Sequence, residues 1–482
     1  MSVLRRVAHN TALQFIGKAG GTALGFGTAV LLLRYLGDTQ FGYYTSALAY
    51  LQLFGILMDL GLYIVLLKKI SDVSSPHNQR LINNIFSLRS VTAVLFLTVA
   101  CSLVWFIPQY PPIVQWAVVV VAANFFFITM NQLLLGVYQK ELATGIVAIA
   151  EIISKLVLLI GTAVVIYIVP SGLLVLMLIV VLSGTINFVI LLWHVKRYLI
   201  LRWEFDWTIW KQLLQESWPV ALSIGLNLIY FKADTVLLGL FQSQTAVGIY
   251  GAPYKMLEVI ITLPAMIVGL VMPMMNQAFS GHRLGEFKNL YQRTCDGLVM
   301  IALPLVIGTI VVAHPLMRFV AGEKFTSEID ALGTLLQILM VAVGMIFLGT
   351  LTGYLAVIVN QQRAMLWGYA FVAVTALAAY LWAIPRYSYY GAAAVTVYSE
   401  TAIMLIGFAL IYRATHFLPN VTSAARAVLA SAVMGITVWY CSNLPIWLTI
   451  GIGVLVYVIV LTAVGGITLN QLKSLMQRRT HA

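Results

Sequence analysis

The chain has 482 residues, of which 61% are hydrophobic and only 9% charged, far below the roughly one-quarter charged content of soluble domains. This excludes a soluble globular protein and predicts an integral membrane protein, with room for about fourteen helical spans of about 20 residues each. A net charge of +12 would suggest nucleic acid in a soluble chain; in a membrane chain the placement of the bases decides, and no nucleic-acid partner is expected.

In chain order, Arg5 and Arg6 precede a long apolar run with no small-residue cleavage site, which reads as a retained first span rather than a signal peptide. Apolar runs then recur at roughly 11–34, 42–67, 88–107, 113–137, 142–168, 172–193, 217–240, 247–275, 296–313, 331–358, 364–384, 390–412, 425–441 and 446–468. Alternate loops divide the bases unevenly. One set holds Arg5, Arg6, Lys18, Lys68, Lys69, Arg80, Arg89, Lys140, Lys196, Arg197, Arg202, Lys211, Arg283, Lys288, Arg293, Arg363, Arg413, Arg426, Lys473, Arg478 and Arg479, whereas the other holds Arg34, Arg318, Lys324 and Arg386. Because basic loops stay in the cytoplasm, both termini are expected inside a plasma (inner) membrane crossed many times.

Two inner stretches read as interfacial helices. In RWEFDWTIWKQLLQ, Trp203, Trp207, Trp210 and Leu214 recur at helical spacing, as do Leu284, Phe287, Leu290 and Tyr291 in RLGEFKNLYQR. Gly17, Gly21 and Gly25 recur every four residues on the first span and form a face suited to close helix packing or to a bend. Cys101, Cys295 and Cys441 are too few and too scattered for a disulfide framework and read as packing residues.

An internal repeat is visible at the outward turns. TQFGYY (Thr39, Gly42, Tyr44) returns as TAVGIY (Thr245, Gly248, Tyr250), and the same offset sets Asn83 opposite Asn289. The spans then pair six with six in one orientation, and two are left over. The expected architecture is an all-α polytopic membrane protein of about 14 transmembrane helices, with a six-helix lobe at 1–200, a second at 201–420, and two extra helices with a tail at 421–482. A parallel repeat of this kind implies a central cavity between the lobes.

Ionisable groups inside the spans are costly and are kept for a reason. Lys232 lies about nine residues before the second outward turn and Lys255 about nine after it, so both are expected roughly 13 Å below the outer surface. Lys232 and Asp234 point to different faces of one helix, whereas Lys255 and Glu258, spaced i,i+3, share one. Glu151 and Lys155 have the favourable i,i+4 order, and Asp59 and Glu400 have no obvious local partner. Each set reads either as a structural ion pair or as part of a site facing a water-filled cavity. The phosphate-loop pattern GxxxxGK[ST], HExxH and clustered Cys/His sites are missing from the sequence, so neither a cofactor nor an enzyme activity is expected. The Asn420-Val421-Thr422 sequon falls in a loop predicted to be cytoplasmic.

RYLGDTQFGYYTSALAYLQLF (34–54), followed by DLGL and a basic segment, resembles the opening of the polysaccharide (Wzx-type, O-antigen) flippases, within the superfamily of multidrug extruders and the lipid II flippase. KADTVLLGLFQSQTAVGIYGAPYKMLEVI (232–260) resembles the second-lobe counterpart. The resemblance implies a fourteen-helix transporter that moves a polyprenyl-pyrophosphate-linked oligosaccharide to the outer leaflet by alternating access, with polysaccharide polymerase machinery as a potential partner. It assigns anion contacts to Lys232 and Lys255, with Lys18 and Arg34 as first-lobe candidates. Asp59, Glu151, Lys155, Asp234, Glu258 and Glu400 stand as ion-coupling or pairing residues. The last two spans resemble those that form a groove for the polyprenyl tail. A cation-coupled exporter of drugs or metabolites is the alternative, and a membrane enzyme acting on the same lipid carrier is a third, disfavoured by short outer loops.

Overall fold

The computed structural model describes residues 3–70, 73, 75–442 and 444–466. The helices are α1 (Val3–Asp59), α2 (Leu62–Lys69), α3 (Pro76–Leu103), α4 (Pro112–Lys140), α5 (Gly145–Tyr167), α6 (Leu173–Val195), α7 (Trp207–Phe241) and α8 (Gln244–Ile260). They continue as α9 (Thr262–Ser280), α10 (Leu284–Val311), α11 (Ala313–Ala321), α12 (Ile329–Ile358), α13 (Gln362–Thr415), α14 (Thr422–Tyr440) and α15 (Ile446–Ala463). Eleven helical stretches among the described residues are long and apolar enough to cross a membrane. Two of them fold back on themselves, α1 at Gly37 (φ 72°) and α13 at Ser388 (φ 50°). With α7 as a further long apolar helix, the stretches correspond to the fourteen runs read from the sequence. Their outer faces carry exposed Val94, Leu95, Leu178, Val374, Val454 and Ile459, a pattern suited to lipid rather than water.

The turn between the first two spans is a single residue because Gly37 adopts a left-handed φ that a side chain would resist. Ser388 makes the corresponding turn in α13 without that freedom, at a cost of order 1 kcal/mol. The second span is interrupted again: Leu60 (φ 49°) and Gly61 (φ 71°) separate α1 from α2. The eighth breaks at Ile261, between α8 and α9.

The chain packs as two units. The first extends to Gly251 and takes in Leu377–Ala392; the second holds Ala252–Ala376 and the chain from Ala393 on. Packing units and repeat halves are different divisions of the chain, since α7 belongs to the first unit.

Within the first unit, the Gly face of α1 lies on α5. A methyl group at Gly17 would meet Ala148 and one at Gly21 the Glu151 carboxylate, whereas Gly25 has nothing within 4 Å. The repeat is visible in contacts as well. A side chain on Gly42 would overlap the Gln244 carbonyl, and one on Gly248 the Asp38 carbonyl. Gly42 and Gly248, and Asp38 and Gln244, share the offset of 206 that separates Thr39 from Thr245, whose hydroxyls meet at 2.8 Å. Each partner thus makes the other's contact, as around a two-fold axis. Ser46 Oγ adds a hydrogen bond to Gln244 Oε1 at 2.6 Å.

The stretch RWEFDWTIWKQLLQ is not one interfacial helix. Residues 199–206 run without helix, and α7 starts at Trp207. The backbone N–H groups of Arg202, Glu204 and Asp206 donate to Asn83 Oδ1 (3.1 Å), Ser87 Oγ (2.9 Å) and Asn84 Oδ1 (2.9 Å). Alternate residues of extended chain therefore bond to one face of α3, a strap that satisfies backbone groups outside any helix. The second unit uses the same device, with the Asn420 N–H donating to Gln292 Oε1 (2.6 Å) and Gln292 Nε2 donating to the Asn420 carbonyl (3.0 Å). Asn289, the sequence counterpart of Asn83, is exposed, so the device recurs without residue-for-residue equivalence. RLGEFKNLYQR forms the opening turns of α10, with Phe287 and Tyr291 buried. The three cysteines are free thiols, as packing residues would be.

Two outcomes follow. Gly42→Ala and Gly248→Ala each press a methyl group on backbone that cannot yield and should cost about 1–3 kcal/mol; Gly25→Ala should be near neutral, as read by thermal unfolding in detergent. Asp206 caps α7 by accepting from the Ile209 and Thr208 N–H groups and pairs with Arg80 at 2.8 Å. The Ile209 hydrogen bond, aided by those of Thr208 and Arg80, holds its carboxyl below the usual range. The strap should therefore be fully docked above the unfolded carboxylate value and loosen as pH falls through the depressed one. Hydrogen exchange of residues 199–206 against pH, in wild type and Asp206→Ala, measures this.

Candidate functional site

On α7, Lys232 is 8% exposed and Asp234 0%. Asp234 is held from three directions: Tyr250 Oη donates to Oδ2 at 2.6 Å, and the Thr235 N–H and hydroxyl both reach Oδ1. Three donors on one carboxylate suit a buried charge. The Lys232 ammonium lies 5.3 Å from the centre of the Phe231 ring, within cation–π range. The same Asp-Thr arrangement recurs beside the turn at Gly37, where Asp38 Oδ1 accepts from the Thr39 N–H and hydroxyl. In the second unit Lys255 Nζ and Glu258 Oε2 meet at 2.7 Å, as their spacing predicts, and both remain partly exposed. Glu400 is 6% exposed and within electrostatic reach of Tyr369.

The remaining candidates are dispersed. Lys18 and Arg34 are exposed on α1, while Glu151 and Lys155 on α5 are half-buried, with Glu151 against Gly21. Asp59 is the last residue of α1 and does have a partner: its Oδ1 lies 2.5 Å from Arg89 Nη2, with the Arg89 side chain 0% and that of Asp59 15% exposed. Arg89 had the appearance of a loop base. The structure places it in the middle of α3, because that helix begins at Pro76 and its polar first turns carry the strap. Arg89 Nη2 also donates to Gln132 Oε1 at 2.6 Å, and nearby Tyr63 Oη donates to Gln139 Oε1 at 2.8 Å. The signal available in the sequence was the run Asn83, Asn84, Ser87, whose polar side chains suit a helix face bound to protein.

The second unit contains an apolar cavity of about 440 Å³ between α10, α14 and α15, lined by Met300, Pro304, Gly308, Met434, Val454 and Tyr457 among others. Its shape follows from one residue. Pro304 lacks the N–H that would bond the Met300 carbonyl, and Tyr457 Oη supplies that hydrogen bond at 2.6 Å. Glycines at 308, 435 and 453 let the helices approach: a methyl group at each would press on Met434, Ile307 and Val438, respectively.

The stacked apolar helices, the buried charges within them and the internal repeat define a multi-pass membrane protein of the transporter type. The fold is shared with the lipid II flippase MurJ in its inward closed conformation, with a TM-score of 0.78 at 13% identity over 94% of this chain and 98% of that one. It is also shared with an inward-facing multidrug resistance MATE family transporter (TM-score 0.67, 15% identity, 84% of this chain and 98% of the other). Among curated proteins, the probable flippase AglR of Haloferax volcanii is 21% identical over 214 residues. That match spans 44% of this chain and 44% of AglR, so the chain covers less than half of that relative's length. The sequence profile of the polysaccharide biosynthesis protein family matches residues 7–279, and the chain belongs to that family.

Tyr250→Phe removes a hydrogen bond from a fully buried carboxylate and should destabilise the protein by about 1–3 kcal/mol. Tyr43→Phe, with no such partner among the described residues, serves as the control in the same thermal measurement.

Proposed function

We propose that this protein is a flippase that moves a polyprenyl-pyrophosphate-linked oligosaccharide from the cytoplasmic to the outer leaflet of the plasma (inner) membrane, for cell-surface polysaccharide synthesis. The observation that carries this reading is the cavity on α10, α14 and α15. It is almost wholly apolar and lies between α10 and the last two spans, α14 and α15. Such a groove suits an isoprenoid chain, which needs a dry surface and makes no hydrogen bonds. Family membership and the likeness to AglR point the same way.

In this reading two six-span halves, 1–200 and 201–420, alternate access to a central cavity, and 421–482 adds the tail groove. Both termini are cytoplasmic. Lys232 and Lys255, with Lys18 and Arg34, meet the pyrophosphate or acidic sugars. The membrane potential favours outward movement of an anion by about 2.3 kcal/mol per charge per 100 mV. Asp234, Glu258, Glu151, Lys155, Asp59 and Glu400 pair internally or couple a cation. Polymerase machinery would receive the product. The alternative, a cation-coupled exporter of drugs or metabolites, draws on the shared MATE fold and on the same buried acids.

Binding to the purified protein separates the two. A polyprenyl-pyrophosphate oligosaccharide should bind, a lipophilic cation should not, and Lys232→Ala with Lys255→Ala should weaken the glycolipid about tenfold or more at unchanged thermal stability. Val454→Phe, which narrows the groove from its exposed side, should weaken long-chain but not short-chain prenyl carriers. Binding of the cation alone would sink the flippase reading.

A further inference from the structure

We propose that Arg89 is a binding site for a phosphate-type oxyanion and that Asp59 is its exchangeable resident counter-ion. The inference deepens the reading above, and rests on it only for the source of the anion.

Arg89 is fully buried, yet among the described residues its Nε and Nη1 have no hydrogen-bond partner. Only Nη2 is engaged, by Gln132 and by the contact with Asp59. A guanidinium grips phosphate or carboxylate along either of two edges, each of which includes Nη2 and one neighbouring nitrogen. Both edges of Arg89 therefore have donors to offer. Asp59 forms its ion pair with Nη2 and leaves Nε and Nη1 without a partner among the described residues.

Asp59 is the partner built to yield. It retains exposure that Arg89 lacks and stands immediately before the break in the second span. There Leu60 is held at φ 49°, at a cost of about 1–2 kcal/mol, beside Gly61 at φ 71°. Strained backbone of this kind gathers at functional sites, and interrupted spans mark where helical transporters bind charged cargo. Turning the Asp59 side chain about its own bonds would withdraw the carboxylate from Arg89 while the Met58 carbonyl keeps its hydrogen bond from Thr92 Oγ1 and Tyr63 keeps its own to Gln139. The other polar groups gathered here, Tyr63, Gln132 and Gln139, are neutral and can bond to a ligand of either sign. Arginine keeps its charge at any physiological pH, so the group that replaces Asp59 has to be an anion.

The test uses the purified full-length protein with two probes, inorganic pyrophosphate and farnesyl diphosphate, followed by calorimetry and thermal unfolding. Asp59→Asn strands the guanidinium, so it should unfold at lower temperature than wild type without ligand and regain more of that loss on adding diphosphate. Its affinity should be about tenfold tighter than wild type, since the competing carboxylate is gone. Arg89→Gln and the double variant should lose this binding. Stronger binding of farnesyl diphosphate than of pyrophosphate would identify a lipid headgroup as the source, and equal binding a free phosphate compound. If Asp59→Asn is destabilised without rescue and Arg89→Gln binds as wild type does, the pair is structural and the proposal fails while the flippase reading stands. If Asp59→Asn does not fold, the double variant decides, because it removes both charges together: wild-type binding overturns the site and lost binding supports it. If no form binds either probe, the site and the anionic-substrate reading fall together.

Discussion

A charge or a free backbone group in hydrocarbon has to find its partner inside the protein, and most of the irregular features of this molecule follow from that. Pro304 frees a carbonyl, and Tyr457, from a helix at the far end of the chain, answers it. Asp234 is answered by Tyr250 across the turn between α7 and α8. Arg89 on α3 is answered by Asp59 at the end of α1. None of these partners is supplied by the polar residue's own helix. Helix pairs are thereby specified one against another in a medium where apolar packing alone discriminates little, since lipid tails are as apolar as leucine.

The span pattern was legible because long apolar runs interrupted by short polar breaks have few other solutions. The pairing of Lys255 with Glu258 was legible for a similar reason, since i,i+3 neighbours meet on any helix. What could not be read were contacts set by tertiary packing. Arg89 sits among polar residues that look like loop, and their role becomes clear only when the strap at 199–206 is seen lying on them. The tryptophan series misled in another way. Trp203, Phe205 and Trp207 alternate as extended chain does, while Trp207, Trp210 and Leu214 follow a helical period. The boundary between the two was marked by Asp206, a residue type that favours helix N-caps.

The repeat is preserved where backbones touch and blurred where side chains do. Gly42 and Gly248 are counterparts because each crosses its neighbour too closely for a side chain, a demand that no other residue meets. Asn83 and Asn289 share a register position, yet the linker of the second unit is held by Gln292. Holding a strap requires only donors and acceptors of suitable reach, so the residue that supplies them is free to drift along the helix. Steric exclusion leaves a sharper trace in sequence than hydrogen bonding does.

The same distinction bears on the charged groups. Asp234 has its acceptor sites filled by a tyrosine, a threonine hydroxyl and a backbone N–H, so moving it would leave several groups unsatisfied at once. Asp59 has one partner, partial exposure and a strained joint beside it. Of these two carboxylates of the first unit, Asp234 is therefore built to stay and Asp59 to move. A transporter needs both kinds, because a site that changes partner has to be carried on a frame that does not. Losing one partner of a buried pair costs about 3–5 kcal/mol, a cost that exchange for another anion avoids. An incoming phosphate oxygen would thus meet a guanidinium that is already desolvated and oriented, and would have its own desolvation and the movement of Asp59 to offset.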